Sequence, residues 1–280
     1  MSILEAQPVT DAYSLARTPA EYERLRSQSR AWEGATSRLL DQVGLSAGAR
    51  CLDAGCGPGE TMRLMAQRVG PAGRVTGIDV DARLGALALM MLHQAGHRQC
   101  RFGPVDVTSD GPIPDAPFDL VYARLLLFHL PQRAAVLARL WDAVAPGGHL
   151  LVQDYDVRGI TVLPALATVA ELGRIITAVF HAVGADVHTG ARLPQLFTQA
   201  GIGYPDGTDV AGRIEPLGTG RAFLERTFRS VLPIALAYGI TTSVGATELL
   251  AAIDRDAARF ADCPMGWPLL IGAWKRKEPM

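Results

Sequence analysis

The residues with most chemical consequence gather at the ends of short apolar runs. The segment Cys51–Glu60, CLDAGCGPGE, places Gly55, Gly57 and Gly59 within five residues, between an apolar run and the helical stretch ETMRLMAQRV. Glycine reaches positive φ and lets a ligand touch main chain. Amides at a helix start point at whatever lies in such a turn. The spacing therefore predicts that these glycines wrap a polar small molecule. Asp53 is read as the residue that holds the glycine loop together, and Cys56 as a small residue packed against the ligand. His129, in LLLFHLP, is a candidate general base; its alternative is a packing histidine bonded to a carbonyl. Asp154 and Asp156 flank Tyr155, and strand alternation points both acids to one side. There they bind a hydroxyl or amine, or cap the next segment; Asp154 is the candidate catalytic acid. Arg124 follows LVYA and is placed to reach a carboxylate.

These groups need elements to hold them. Thr18-Pro19 followed by Glu21 starts a helix over 18–43, with Gly34 as a break. From 49 onward, apolar runs alternate with helical stretches: RCLDAG, ETMRLMAQRVG, RVTGIDV, ARLGALALMMLHQAG, CRFGPVDV, FDLVYA, QRAAVLARLWDAV and HLLVQDYD. This order predicts an α/β fold with a mostly parallel sheet and helices on both faces. APGG at 145–148 stops a helix. Helices are expected over 160–183, 189–200, 219–238 and 245–261, and strands near 207–215 and 267–276. The later helices read as insertions that cover the sheet.

The glycine spacing G-C-G-P-G is not the G-x-G-x-x-G of a dinucleotide site, and Pro58 removes an N–H that a pyrophosphate would use. A nicotinamide dehydrogenase is therefore disfavoured, and no G-K-[ST] signals a P-loop. The form D-x-G-x-G-x-G at Asp53–Gly59 resembles motif I of the class I S-adenosylmethionine (SAM)-dependent methyltransferases. Further segments match that family in order: RVTGIDVD ending near Asp79 and Val80, FGPVDVTS with Asp106 and Val107, FDLVYARLLLFHL, and LWDAVAPGGHLLVQDYD.

The resemblance covers about residues 48–157. It implies a Rossmann-like seven-stranded sheet with the last strand antiparallel, an N-terminal helical cap and helical lid insertions. It also implies that Asp79 accepts both ribose hydroxyls, that Asp106 meets the adenine amino group, and that the Val107 N–H faces a ring nitrogen. The bland readings make Asp79 a helix cap and Asp106 a turn cap. By the same resemblance, residues 1–45 form the cap and 46–280 the catalytic domain, with insertions near 159–188 and 218–262. Tyr22, Arg26, Gln28, Trp32, Phe180, Phe197, Tyr204 and the helix over 219–238 are expected in the lid.

The expected activity is transfer of a methyl group from SAM, yielding S-adenosylhomocysteine, to an O, N or C atom of a small, largely apolar metabolite. The overall pattern resembles methyltransferases of quinone biosynthesis and bacterial natural products. The alternatives are a methyltransferase-fold cyclase or isomerase, and a non-catalytic SAM-binding protein. With 49% hydrophobic residues, a net charge of −1 and no basic run longer than WKRK, a nucleic-acid partner is not expected. No apolar stretch is long enough for a membrane span, and residues 1–14 lack an apolar leader. No metal is expected. Reduced cysteines in the cytoplasm, and a monomer or homodimer, complete the expectations.

Overall fold

The computed structural model describes residues 19–279; the N-terminal stretch read as leaderless and the first 18 residues of the expected cap lie outside them. Five strands of the main sheet run parallel in the region of the glycine motif: β1 (Arg50–Ala54), β2 (Arg74–Asp79), β3 (Cys100–Pro104), β4 (Phe118–Arg124) and β5 (Val144–Asp156). Two later strands, β7 (Gly207–Ala211) and β10 (Leu269–Arg276), complete a seven-stranded order β3-β2-β1-β4-β5-β10-β7. The last strand in sequence, β10, is antiparallel to both neighbours. The chain reverses direction in strand order beside β1, so the tips of β1 and β4 open a crevice for a ligand.

Burial on both faces explains the apolar strands. Helices α2 (Glu33–Gln42), α3 (Glu60–Val69) and α4 (Ala82–Gln94) cover one face, and α5 (Arg133–Asp142) and α7 (Thr189–Gln199) the other. Gly85 lets α4 lie against β3: a Cβ there would stand 2.0 Å from the Phe102 ring.

The expected long N-terminal helix is two, α1 (Pro19–Ala31) and α2. The break falls at Trp32, two residues before Gly34. There the indole is buried edge-on between Tyr155 and Trp267, 6.1 Å from each ring centre. Burial of a large aromatic outweighs continuation of the helix.

A second layer caps the carboxyl ends of the strands. Helices α6 (Ala167–Ala182), α8 (Leu217–Ala237) and α9 (Ser243–Arg259) share an apolar core of their own that includes Val179, Phe228 and Ile253. A small antiparallel sheet, β6 (Thr161–Val162), β9 (Pro264–Gly266) and β8 (Ile214–Pro216), ties this layer to the main sheet. The helix expected from 160 begins only at Ala167, because Pro164 turns its predecessor away from helical dihedrals. The single strand expected over 207–215 is two strands in two sheets, interrupted at 212–213. Among the described residues, no helix is long and apolar enough to cross a membrane.

Candidate active site

One cavity of about 530 Å³ lies over the tips of β1, β2 and β4, between the sheet and the helical layer. Its floor is the glycine loop. The N–H groups of Gly55 and Cys56 both donate to the Ile78 carbonyl at the tip of β2, at 2.8 and 3.0 Å. This forces the chain to curl, and Gly55, Gly57 and Gly59 all take left-handed φ values of 47–76°. At Gly57 a Cβ would meet nothing within 4 Å, so its main chain borders open cavity. At Gly59 a Cβ would stand 3.0 Å from that of Ala88, so this glycine lets the loop sit on α4.

Asp79 clasps this loop. Its Oδ2 accepts the Gly57 N–H at 2.9 Å and its Oδ1 the Asp81 N–H at 2.9 Å. The helix cap is a different residue: Asp81 Oδ1 accepts from the N–H groups of Arg83 and Leu84. Val80, half exposed, stands beside Asp79 in the cavity wall. Tyr22 on α1 donates its hydroxyl to Asp81 Oδ2 at 2.9 Å, fastening the first helix across the cavity mouth.

Asp53 is 2% exposed and lines the cavity, with Oδ2 buried and lacking a hydrogen-bond partner among the described residues. Burial chiefly, and then Asp79, push its carboxyl up to about 7; Arg124 and the Met62 N–H oppose this. The Met62 bond holds the first turn of α3 to β1. The Arg124 guanidinium is braced from behind by Thr36, whose Oγ1 accepts Nη1 at 3.0 Å. The Cys56 thiol is buried under the loop; burial, with Asp53 and Asp79 beside it, raises its pKa well above the ordinary value. It stays protonated and serves packing.

Asp106 lies two residues beyond β3, not at its end. Its Oδ1 caps a turn by accepting from the N–H and Oγ1 of Thr108, at 2.8 and 2.7 Å, while the residue also borders the cavity. The turn-cap reading is the one these hydrogen bonds carry. Buried Val107 lines the cavity next to it. The loop is tied down by Arg139, which donates to the carbonyls of Asp106, Val107, Ser109 and Gly111. No motif points to Arg139, because its role depends on α5 lying beside the loop in space.

At the other end of the cavity the wall turns apolar: Leu125, Phe128, Ile160, Ile176, Phe180 and Phe223. Leu125 adopts φ 53°, a left-handed conformation that costs a leucine roughly 1–2 kcal/mol. It swings the chain from β4 into the short turn Leu127–His129. His129 lines the cavity, its ring centre 3.7 Å from that of Phe128 and 6.2 Å from that of Phe180. Burial, with Arg24 and Arg133 nearby, lowers its pKa to about 3, so the ring is neutral at pH 7.

The structure does not bring Asp154 to the cavity. It is wholly buried, its oxygens accepting the N–H groups of Phe128 and Tyr155, each at 3.1 Å. Burial pushes it up to about 7. Its geometry is that of a brace behind the His129 turn. Asp156, on the same side as expected, is bound to Arg158 and His188. Trp32 is also outside the wall; it backs Tyr155, whose phenol oxygen accepts its indole N–H at 2.7 Å. Phe197 belongs to the sheet core, and Tyr204 is exposed. Among the described residues no group of three or more His, Cys, Asp or Glu is placed to hold a metal ion.

The comparisons with known proteins agree with this geometry. A family model described as a methyltransferase domain matches residues 51–148. A trans-aconitate 2-methyltransferase of Variovorax paradoxus is 36% identical over 140 residues, half of each chain. The chain spans about half the length of the first curated relatives it matches. A solved structure from Bacillus halodurans superposes with TM-score 0.59 at 15% identity, covering 87% of this chain and 98% of that one. A phosphoethanolamine N-methyltransferase of Haemonchus contortus, solved with S-adenosylhomocysteine, gives TM-score 0.52 at 18% identity, covering 88% and 53%. The methyltransferase-domain match covers the glycine loop and the strands around it, and the strand order is that implied by the resemblance to class I SAM-dependent methyltransferases.

The residues present fit SAM. A bare main-chain loop, a clasping carboxylate at the next strand tip and a buried, partnerless carboxylate oxygen meet the needs of a ligand that is polar and cationic.

Proposed function

We propose that the protein transfers the methyl group of SAM to a small, largely apolar acceptor, working in the cytoplasm on a free metabolite. The observation that carries this reading is the continuity of one cavity from a polar nucleoside end to an apolar end closed by helices. Gly55 and Gly57 would offer main chain to SAM, Asp79 would take the ribose hydroxyls, and Asp106 with Val107 would take the adenine. Asp53 and Arg124 would bind the ammonium and carboxylate of the methionine part. When bound, SAM supplies an electrophilic methyl on a sulfonium.

The chain's own residues orient and exclude water. Leu125, Phe128 and Phe223 shape a dry space in which an acceptor is held against the methyl, and orientation of this kind lowers a barrier by roughly 7–11 kcal/mol. His129, neutral and in the wall, can take a proton at a ring nitrogen, adding about 10²–10⁴-fold. Asp154 acts through the main chain of Phe128 by holding that turn in place. Residues 19–45 with the helices near 159–188 and 218–262 act as cap and lid on the domain from 46 onward; the first 18 residues of the expected cap lie outside the described residues.

Several relatives are named for trans-aconitate. The match covers half of each chain, and the acceptor end here favours a different molecule. Arg24, a cation in the wall, is paired with Glu21 through two hydrogen bonds of 2.8 and 2.6 Å. The rest of that wall is mainly aliphatic and aromatic. Calorimetry with S-adenosylhomocysteine tests the cofactor assignment. Release of S-adenosylhomocysteine from SAM, scored by mass spectrometry over a panel of apolar phenols, ketones and amines, tests transfer. Absence of binding at millimolar ligand would end this reading.

A further inference from the structure

A chain of side chains runs from α8 across α1 to the end of β5. Ser230 donates to Glu21 Oε2 at 2.7 Å, and Glu21 holds Arg24. Arg24 Nη1 donates to Gln28 Oε1 at 2.6 Å. That bond decides which way the Gln28 amide faces, since a guanidinium only donates. Gln28 must therefore present its NH₂ to Tyr155, and Nε2 lies 2.8 Å from the phenol oxygen. The indole N–H of Trp32, also donor-only, reaches the same oxygen at 2.7 Å. The Tyr155 oxygen thus accepts twice, and its own O–H is left to donate. The structure records no acceptor for it among the described residues, and Tyr155 lines the cavity. Burial keeps the phenol protonated, raising it to about 12.

The position separates this donor from the cofactor end. Tyr155 ends β5, two strands from β1 in the sheet order, so it stands roughly 10 Å across from the glycine loop. Its ring touches the helical layer at Phe223, with centres 6.4 Å apart. Building on the methyltransferase reading, we propose that the Tyr155 hydroxyl fixes the methyl acceptor by donating a hydrogen bond to a carbonyl or phenolic oxygen of that molecule. The acceptor is then an apolar compound with one oxygen aimed at β5, and Glu21, Arg24, Gln28 and Trp32 are positioning residues that commit the phenol to donating.

The test uses a shape-matched pair, acetophenone and α-methylstyrene, which differ by C=O against C=CH₂. Dissociation constants are measured by ligand-observed NMR on the S-adenosylhomocysteine complex of the wild type and of Tyr155→Phe. The wild type should favour acetophenone about fivefold, the range of one neutral hydrogen bond, and Tyr155→Phe should abolish the preference. Infrared spectra of the wild type give a readout that needs no variant: the bound C=O stretch should be red-shifted from its value in hydrocarbon solvent. Failure of acetophenone to bind, equal binding of the two probes, an unshifted carbonyl, or a preference that survives in Tyr155→Phe would overturn the proposal. So would a Tyr155→Phe variant that loses S-adenosylhomocysteine instead of the probe. Failure of the wild type to bind S-adenosylhomocysteine would strike the methyltransferase reading itself, and is measured first.

Discussion

Asp79 Oδ2 accepts the main-chain N–H of Gly57 at 2.9 Å, joining the acid at the tip of β2 to the middle of the glycine loop 22 residues away. One carboxylate therefore shapes the loop and also borders the cavity. Asp79→Ala should remove both contributions. Hydrogen bonds to charged groups contribute about 1.5–3 kcal/mol, so SAM affinity should fall roughly 10- to 150-fold. Far-ultraviolet circular dichroism should stay native, because Asp81, not Asp79, caps α4. Calorimetry showing an unchanged dissociation constant would remove the ribose assignment.

Gly59→Ala tests the loop from its other end. The φ of 76° costs an alanine about 1–2 kcal/mol, and the new methyl meets Ala88. Melting should drop by roughly 2–8 °C on thermal denaturation. Since the loop is lifted from α4, S-adenosylhomocysteine should stabilise the variant less than the wild type.

Arg139→Ala probes the loop after β3 without touching the cavity wall. Arg139 bonds the carbonyls of a loop that includes Asp106 and Val107, so its loss should free that loop. S-adenosylhomocysteine should bind about three- to tenfold more weakly, through loss of order near the adenine. Methionine analogues lacking the nucleoside should bind as before. Equal affinity of the variant and wild type for S-adenosylhomocysteine would show that the loop needs no such tie.

Two buried groups give opposite pH signatures. The Asp53 carboxyl is raised to about 7 in the folded protein, so the unfolded chain releases a proton that the fold retains between about pH 4 and 7. Its contribution to stability is lost as pH rises through that window. His129 is lowered to about 3, so the unfolded chain gains a proton below about 6.5 that the fold refuses. Its contribution is lost as pH falls. Urea unfolding at pH 5, 6 and 7.5 should show Asp53→Asn gaining stability relative to wild type as pH rises. His129→Gln should gain it as pH falls. The same slope change in both variants would contradict these environments.

Much of the fold was legible because burial writes itself into sequence as rhythm. A sheet covered on both faces demands apolar runs, and the crossover helices between them demand apolar spacing of 3 and 4, so β1 to β5 stood out. The three glycines and the acids beside them stood out for a related reason: a backbone curl with positive φ tolerates few residue types. Where packing overrode local preference, reading failed. Trp32 broke a helix two residues before the glycine chosen for it, because its indole is worth more buried beside Tyr155. The run from 160 became a strand before it became a helix, because Pro164 and pairing with β9 decided the matter.

By itself, the order of residues determined the α/β fold and the glycine-loop end of the cavity, since both depend on contacts among elements close in the chain or on main-chain geometry. Only tertiary structure decided which polar groups face the apolar end of the cavity. Asp154 looked as exposed to chemistry as Tyr155, its neighbour, yet the strand turns one inward to brace Phe128 and the other into the cavity. The hydrogen bonds that orient the phenol come from Gln28 and Trp32, more than 120 residues away. A contact of that range leaves no local pattern, because each partner need satisfy only a position in space.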